Sequence, residues 1–143
     1  MNWKLIRHFK KSEWGQNADL VHPDLIFLLD EIRHQYDKVC HIHCAYATGG
    51  HSKKSWHYPK ESLGNMCGAV DFHFEDGNYT AQFDLIRSFD IVGGIGYYNP
   101  TIWNNSGWHI DIRPQRLYWT ERNGVYVYDL NAVIEDCHDA SNV

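Results

Sequence analysis

The sequence predicts an α+β fold, a single domain in which flanking helices pack on a mostly antiparallel sheet. Short runs of β-branched and aromatic residues recur along the chain, one strongly periodic helix lies near its start, and turn residues separate these segments. At 143 residues the chain suits one domain with a sizeable core, and its 43% hydrophobic content argues against disorder. We therefore predict one domain over residues 1–143, with a motif-bearing core over about residues 20–130.

Two helices are predicted from periodicity and capping. Pro23 suits a first helical turn, and the leucines and isoleucines of residues 23–36 recur with a helical period. Thr80 is the expected N-cap of a second helix that ends near Ile91. The segments expected to be less regular are a short helix or irregular arm over 3–14, a long loop over 47–66 and a frayed tail from about Glu135.

Six strands are predicted from apolar runs bounded by turn signals. They cover residues 39–46, 69–74, 95–98, 107–112, 117–120 and 125–129, with Asn123-Gly124 as a type I′ hairpin turn between the last two. Alternation in the first strand places Cys44 on the face of Cys40 and Ile42, so Cys44 is expected to be a buried free thiol. Because the four cysteines form no CxxC pair, a zinc site built from cysteines is not expected.

Charge and hydropathy limit the classes of partner and the cellular location that are expected. The net charge is −5, and Lys/Arg runs are limited to the pairs Lys10-Lys11 and Lys53-Lys54, so nucleic acid is not an expected partner. No apolar run approaches the roughly 20 residues of a membrane span, and no signal peptide follows Met1. These features predict a soluble monomer made in the cytoplasm. It would reach a substrate outside the cell by lysis or as a phage-encoded protein.

Two predicted strands each carry an acid and a histidine on an apolar backing. Within 70–74, Asp71 and His73 share a face, and within 108–112, His109 and Asp111 share a face. If the two strands are neighbours, four groups able to bind a metal meet on one surface. The alternative is that both polar faces are simply solvated.

Four stretches, in order along the chain, carry the most specific motifs. They are Pro23 to Arg33, then Gly49 to His57 ending in Ser55-Trp56-His57, then Gly68-Ala69-Val70-Asp71, and finally Gly93 to Tyr98 with His109-Ile110-Asp111, Arg116 and Trp119. Together they resemble the zinc D-Ala-D-Ala carboxypeptidase and murein endopeptidase family, which shares its fold with the hedgehog signalling domain. The resemblance implies a hedgehog/DD-peptidase-like fold. It also implies a zinc metallopeptidase that hydrolyses amide bonds in peptidoglycan stem peptides or cross-links.

The same resemblance implies that Zn²⁺ is held by His57, Asp71 and His109. Three such ligands leave a fourth position for a water whose pKa falls to about 7. Asp111 would lie close by, either as the catalytic general base or as the partner that orients a histidine. The alternatives that stay open are His51 as the first ligand, Glu61 as the base, and His73 as a group that stabilises the tetrahedral intermediate or as an ordinary strand histidine.

Three departures from the family pattern bear on catalysis. The segment between His57 and Asp71 is longer, the arginine expected after the first strand falls at Ala47, and an acidic position before the last histidine is Ser106. The candidates for the missing substrate contacts are Lys53, Lys54, Arg113 and Trp103. A second function is therefore considered, a non-catalytic zinc-containing module on the same fold that binds cell-wall material or a partner protein.

Overall fold

A six-stranded mixed sheet organises the computed structural model, which describes residues 1–100 and 104–142. The strands are β1 (Cys40–Cys44), β2 (Ala69–Phe74), β3 (Gly94–Tyr98), β4 (Gly107–Asp111), β5 (Leu117–Arg122) and β6 (Val125–Val127). Their order in the sheet is β1-β2-β4-β3-β5-β6, and all neighbouring pairs are antiparallel except β3 and β5. The described helices are α1 (Pro23–Tyr36), α2 (Tyr79–Arg87) and α3 (Leu130–Ser141). The predicted α+β class is confirmed.

The helices pack against one face of the sheet. A single buried cluster joins apolar residues of the three helices to that face, including Leu25, Leu29, Phe72, Phe83, Trp108, Ile110 and Val133. Phe83 of α2 stacks on Trp108 of β4 with ring centroids 5.6 Å apart, and the indole nitrogen of Trp108 donates to Gln82 Oε1 at 2.8 Å. With this face covered by helices, the strand residues that alternate with the core point to the opposite face.

Helix α1 has the bounds predicted from its sequence. Pro23 occupies its first turn, the ring nitrogen Nδ1 of His22 accepts from the Asp24 amide, and Asp37 ends the helix in the left-handed conformation. Asp30 is buried on α1 and accepts from the backbone amides of Arg7 and His8. These bonds fix the N-terminal arm, which contains short 3₁₀ helices at Trp3–Leu5 and Lys11–Trp14.

Helix α2 begins and ends earlier than predicted. Asn78, not Thr80, is the N-cap, because its side-chain oxygen accepts from the Ala81 amide at 3.2 Å. The helix ends at Arg87 instead of near Ile91. At that point the Ser88 hydroxyl donates to the Leu85 carbonyl and so competes with the next helical hydrogen bond.

The prediction of a frayed C-terminal tail is wrong, because residues Leu130–Ser141 form α3. Asp129 caps the helix by accepting from the Asn131 amide, and Val133 and Cys137 are buried against the sheet and α2. Asp136 accepts from the Thr120 hydroxyl at 2.6 Å. The helix is thus held by tertiary packing, which overrides the tendency of terminal residues to fray.

A β-bulge in β1 moves Cys44 to the face opposite the one predicted. Ile42 pairs with Phe72, but Cys44 pairs with Asp71, so β1 advances two residues while β2 advances one. Since directly paired residues share a face, Cys44 lies on the side of Asp71 and not with Cys40 in the core. Cys44 is accordingly only half-buried, which corrects the expectation of a buried thiol.

Candidate metal centre

Strands β2 and β4 are neighbours, as the metal-site hypothesis required. Asp71 pairs directly with His109, and Ala69 pairs with Asp111. The two polar strand faces therefore meet on the side of the sheet away from the helices. His57 reaches the same place from the long loop, which is fastened to the sheet by backbone bonds from Ala47 to His57 and from Gly68 to Trp56.

One carboxylate oxygen lies at the middle of this cluster. Asp71 Oδ1 is 3.1 Å from His57 Nε2 and 3.0 Å from His109 Nδ1. His57 is only 3% exposed and His109 only 7% exposed. Both imidazoles are thus enclosed by protein, and for His109 on β4 this excludes the alternative of a solvated strand face.

The outer nitrogen of each imidazole is held by an acceptor. His57 Nδ1 donates to the Ala45 carbonyl at 2.7 Å, and His109 Nε2 donates to Asp111 Oδ2 at 2.8 Å. If a metal displaces the proton from the inner nitrogen of each ring, the ring is neutral and that nitrogen offers a lone pair on the side of Asp71. An acceptor behind each ligating histidine is the usual arrangement around protein-bound zinc. Imidazoles supported in this way could hold a metal ion.

Charges in this cluster are arranged to compensate one another. Burial alone would lower the pKa of His57, but hydrogen bonds and charge interactions with Asp71 and Cys44 together outweigh burial and raise that pKa to about 10. Burial raises the pKa of Asp71, yet hydrogen bonds from His109 and His57 lower it well below its usual range. Metal binding at this cluster would therefore compete with protons on the imidazoles.

Within the described ranges, one group of side chains meets the geometry of a metal site, and it includes an unpredicted residue. One ligand atom each from Cys44, His57 and Asp71 lies within 4.8 Å of the other two. His109 is outside this group, although its Nδ1 contacts Asp71. The sequence analysis missed Cys44 because strict strand alternation assigns it to the apolar face and does not reveal a bulge. The sequence feature that could have identified Cys44 is its position at the end of a strand, next to the loop that carries His57, since a thiolate is a common metal ligand.

Asp111 is fully buried, and both of its oxygens are occupied by donors. Oδ1 accepts from the Gly94 amide at 2.8 Å and from Arg113 Nε at 2.7 Å, while Oδ2 accepts from Arg113 Nη2 at 2.6 Å and from His109. Burial would raise the pKa of Asp111, but bonds from His109 and Arg113 hold it well below its usual range. Of the two roles considered for Asp111, this geometry favours orienting His109. Its role as general base stays a prediction.

The other predicted residues divide between the groove and more distant positions. The ring centroid of His51 is 5.1 Å from that of His57, and burial lowers the pKa of His51. His73 turns toward β1, where its Nδ1 is 2.5 Å from His43 Nε2. Glu61 is exposed on the 3₁₀ helix Glu61–Leu63. Trp103 lies outside the described residues.

A groove of about 700 Å³ opens onto the cluster. Its lining includes the aromatic residues Trp56, Tyr98, Trp119, Tyr126 and Tyr128 and the basic residues Lys54 and Arg113. A larger depression of about 1130 Å³ has no histidine or cysteine among its described lining residues. The groove beside Asp71 is therefore the described cavity in which candidate metal ligands are also open to a substrate.

No protein-family model, curated protein or solved structure matches this chain. Among the described helices, none combines the length and the apolarity needed to cross a bilayer. The function is therefore argued from the geometry of the site and from the motifs that the sequence carries.

Proposed function

We propose that this protein is a zinc-dependent metallopeptidase that hydrolyses amide bonds in peptidoglycan stem peptides or cross-links, on a hedgehog-like fold. One observation carries the proposal: His57 Nε2 and His109 Nδ1 lie 3.1 Å and 3.0 Å from the same oxygen of Asp71, and each ring is held from behind by an acceptor. The ordered motifs that resemble the zinc carboxypeptidase and murein endopeptidase family support the substrate class.

Each group of the site has a distinct task in this proposal. Zinc would acidify a water and polarise the amide carbonyl. His57, Asp71 and His109 hold the ion, and Asp111 fixes the ring of His109. His51 lies beside His57 in the groove, and its lowered pKa keeps it neutral at pH 7. It is thus a second candidate, besides Asp111, to accept a proton and return it to the leaving amine.

Substrate binding rests on the charge and the aromatic rings of the groove. Aromatic side chains offer flat apolar surface to a peptide backbone or a sugar. Because Arg113 uses its Nε and Nη2 on Asp111, Lys54 is the better replacement for the arginine that is absent at Ala47. An exposed Lys54 supplies the positive charge that a stem-peptide carboxylate would pair with.

A non-catalytic zinc module remains the second candidate, and the position of Cys44 favours it. Structural zinc sites are closed by four protein ligands, whereas catalytic sites keep one position open. Cys44, His57 and Asp71 together with His109 would supply four. Such a protein would bind zinc and a cell-wall or protein partner without turnover.

Digestion of purified peptidoglycan by protein of known zinc content tests the proposal. Untreated protein should release muropeptides, and chelator or His57→Ala should abolish the release. His138→Ala is the matched control, because His138 is an exposed histidine on α3, remote from the groove. Zinc binding without digestion would support the non-catalytic module, and protein that binds no zinc would refute both.

A further inference from the structure

We propose that the Cys44 thiolate is a fourth protein ligand of the metal and occupies the position that a catalytic water needs. The inference rests on the proposed zinc centre and concerns how that centre is regulated. It makes the resting site closed, and hydrolysis then requires that Cys44 withdraw from the metal.

The bulge in β1 provides the first argument. Without it, Cys44 would follow Ile42 by two residues on the apolar face, and no thiol would reach the site. With it, Cys44 is paired directly with Asp71. Bulges commonly re-aim a side chain next to a functional site, and here the re-aimed side chain is a metal-ligand type.

The backbone around Cys44 is fastened to the His57 loop. The carbonyl of Ala45, the next residue, accepts from His57 Nδ1 at 2.7 Å, and the Ala47 amide donates to the His57 carbonyl at 3.1 Å. These two bonds fix the end of β1 beside His57. The backbone that carries the thiol is therefore held next to the imidazole of His57, while the Cys44 side chain itself can still rotate.

The distances between the ligand atoms of Cys44, His57 and Asp71 are close to those around a bound zinc ion. With Zn–S near 2.3 Å and Zn–N near 2.0 Å, ligand atoms on a tetrahedral zinc are about 3.3 to 3.6 Å apart. The ligand atoms of Cys44, His57 and Asp71 are within 4.8 Å of one another, and His109 lies outside this group. Shortening the widest of the three separations by about 1 Å brings these atoms to the spacing of a tetrahedral zinc.

The other cysteines differ from Cys44 in their burial and in the side chains around them. Cys40, Cys67 and Cys137 are buried among apolar residues, and burial raises the pKa of the Cys67 thiol to about 12. Cys44 is half-buried on the face that carries the imidazoles and Asp71. The chain thus contains its own matched control, since Cys40 is on the same strand but faces the core.

The test is the absorption spectrum of the protein loaded with Co²⁺ in place of zinc. Coordination by a thiolate gives an intense sulfur-to-cobalt charge-transfer band in the near ultraviolet. The band is present regardless of which histidines bind the same ion. The unmodified protein and Cys40→Ala should show this band, and Cys44→Ser should lose it while binding the same one equivalent at the site. One bound Co²⁺ without the band overturns the Cys44 inference but leaves the zinc centre standing. Absence of Co²⁺ and Zn²⁺ binding refutes both.

A second measurement needs no variant and so does not depend on the folding of Cys44→Ser. Iodoacetamide is applied to the zinc-loaded and the chelator-treated protein, and alkylation of Cys44 is followed by mass spectrometry. Zinc should slow the modification by about tenfold or more, because a metal-bound thiolate is shielded from the reagent. Equal rates in the two samples would overturn the inference, even if zinc binding is confirmed.

Discussion

Replacing Asp111 with asparagine separates the two roles considered for this residue. Its carboxylate accepts from the Gly94 amide, from the guanidinium of Arg113 and from His109 Nε2, in a site with no solvent exposure. Asparagine has nearly the same shape, but it places an NH₂ group where at least two of these donors point. The substitution therefore perturbs hydrogen bonding without opening a cavity.

The magnitude follows from these contacts. An Asp111→Asn change leaves at least one buried donor unsatisfied, which costs about 1–3 kcal/mol in the free energy of unfolding. Asp111→Ala would cost about 3 kcal/mol, at the low end for a broken buried ion pair, because Arg113 is 23% exposed and regains water. Since His109 loses the acceptor that fixes its ring, zinc affinity should fall by about 10–100-fold.

Two assays check this expectation. Urea unfolding in the presence of chelator measures stability, and competition with a chromophoric chelator measures zinc affinity. Asp84→Asn is the control, because it removes only an exposed ion pair with Arg87 and should change neither quantity appreciably. Unchanged stability and affinity in Asp111→Asn would refute the orienting role. Loss of turnover at unchanged affinity would instead identify Asp111 as the general base.

Two further predictions concern the metal-free cluster and the C-terminal helix. The raised pKa of His57 stabilises the fold fully below its ordinary value of 6.5, and this contribution is lost as pH rises through about 10. The lowered pKa of Asp71 adds stability above its ordinary value of 3.8 that is lost on acidification. Unfolding in chelator should thus show an alkaline decline that Asp71→Asn reduces, and a decline of equal size in that variant would contradict the coupling. Val133→Ala should lower the free energy of unfolding by about 2 kcal/mol, because Val133 is fully buried on α3. A change below about 0.5 kcal/mol would indicate instead that this segment lies outside the core.

Much of the fold was predictable because it depends on local periodicity. The helix over residues 23–36 carries its own apolar stripe and its proline start, and the structure has the same bounds. The turn at Asn123-Gly124 adopts positive φ at both residues, as a type I′ turn requires. The polar C-terminal segment gave no comparable signal, since α3 is stabilised by its contacts with β5 and α2.

The sequence by itself determined which residue types could bind a metal and on which strand faces Asp71 and His109 lie. Successive side chains of a strand alternate by covalent geometry, so these faces depend only on neighbouring residues. Tertiary structure alone decided that β2 and β4 are neighbours, that His57 arrives at Asp71, and that a bulge turns Cys44 toward them. Strand pairing and register arise from contacts between segments far apart in the chain, and local patterns carry little information about them. The sequence therefore showed which residues could be zinc ligands. How many of them can reach one metal ion depends on the folded sheet.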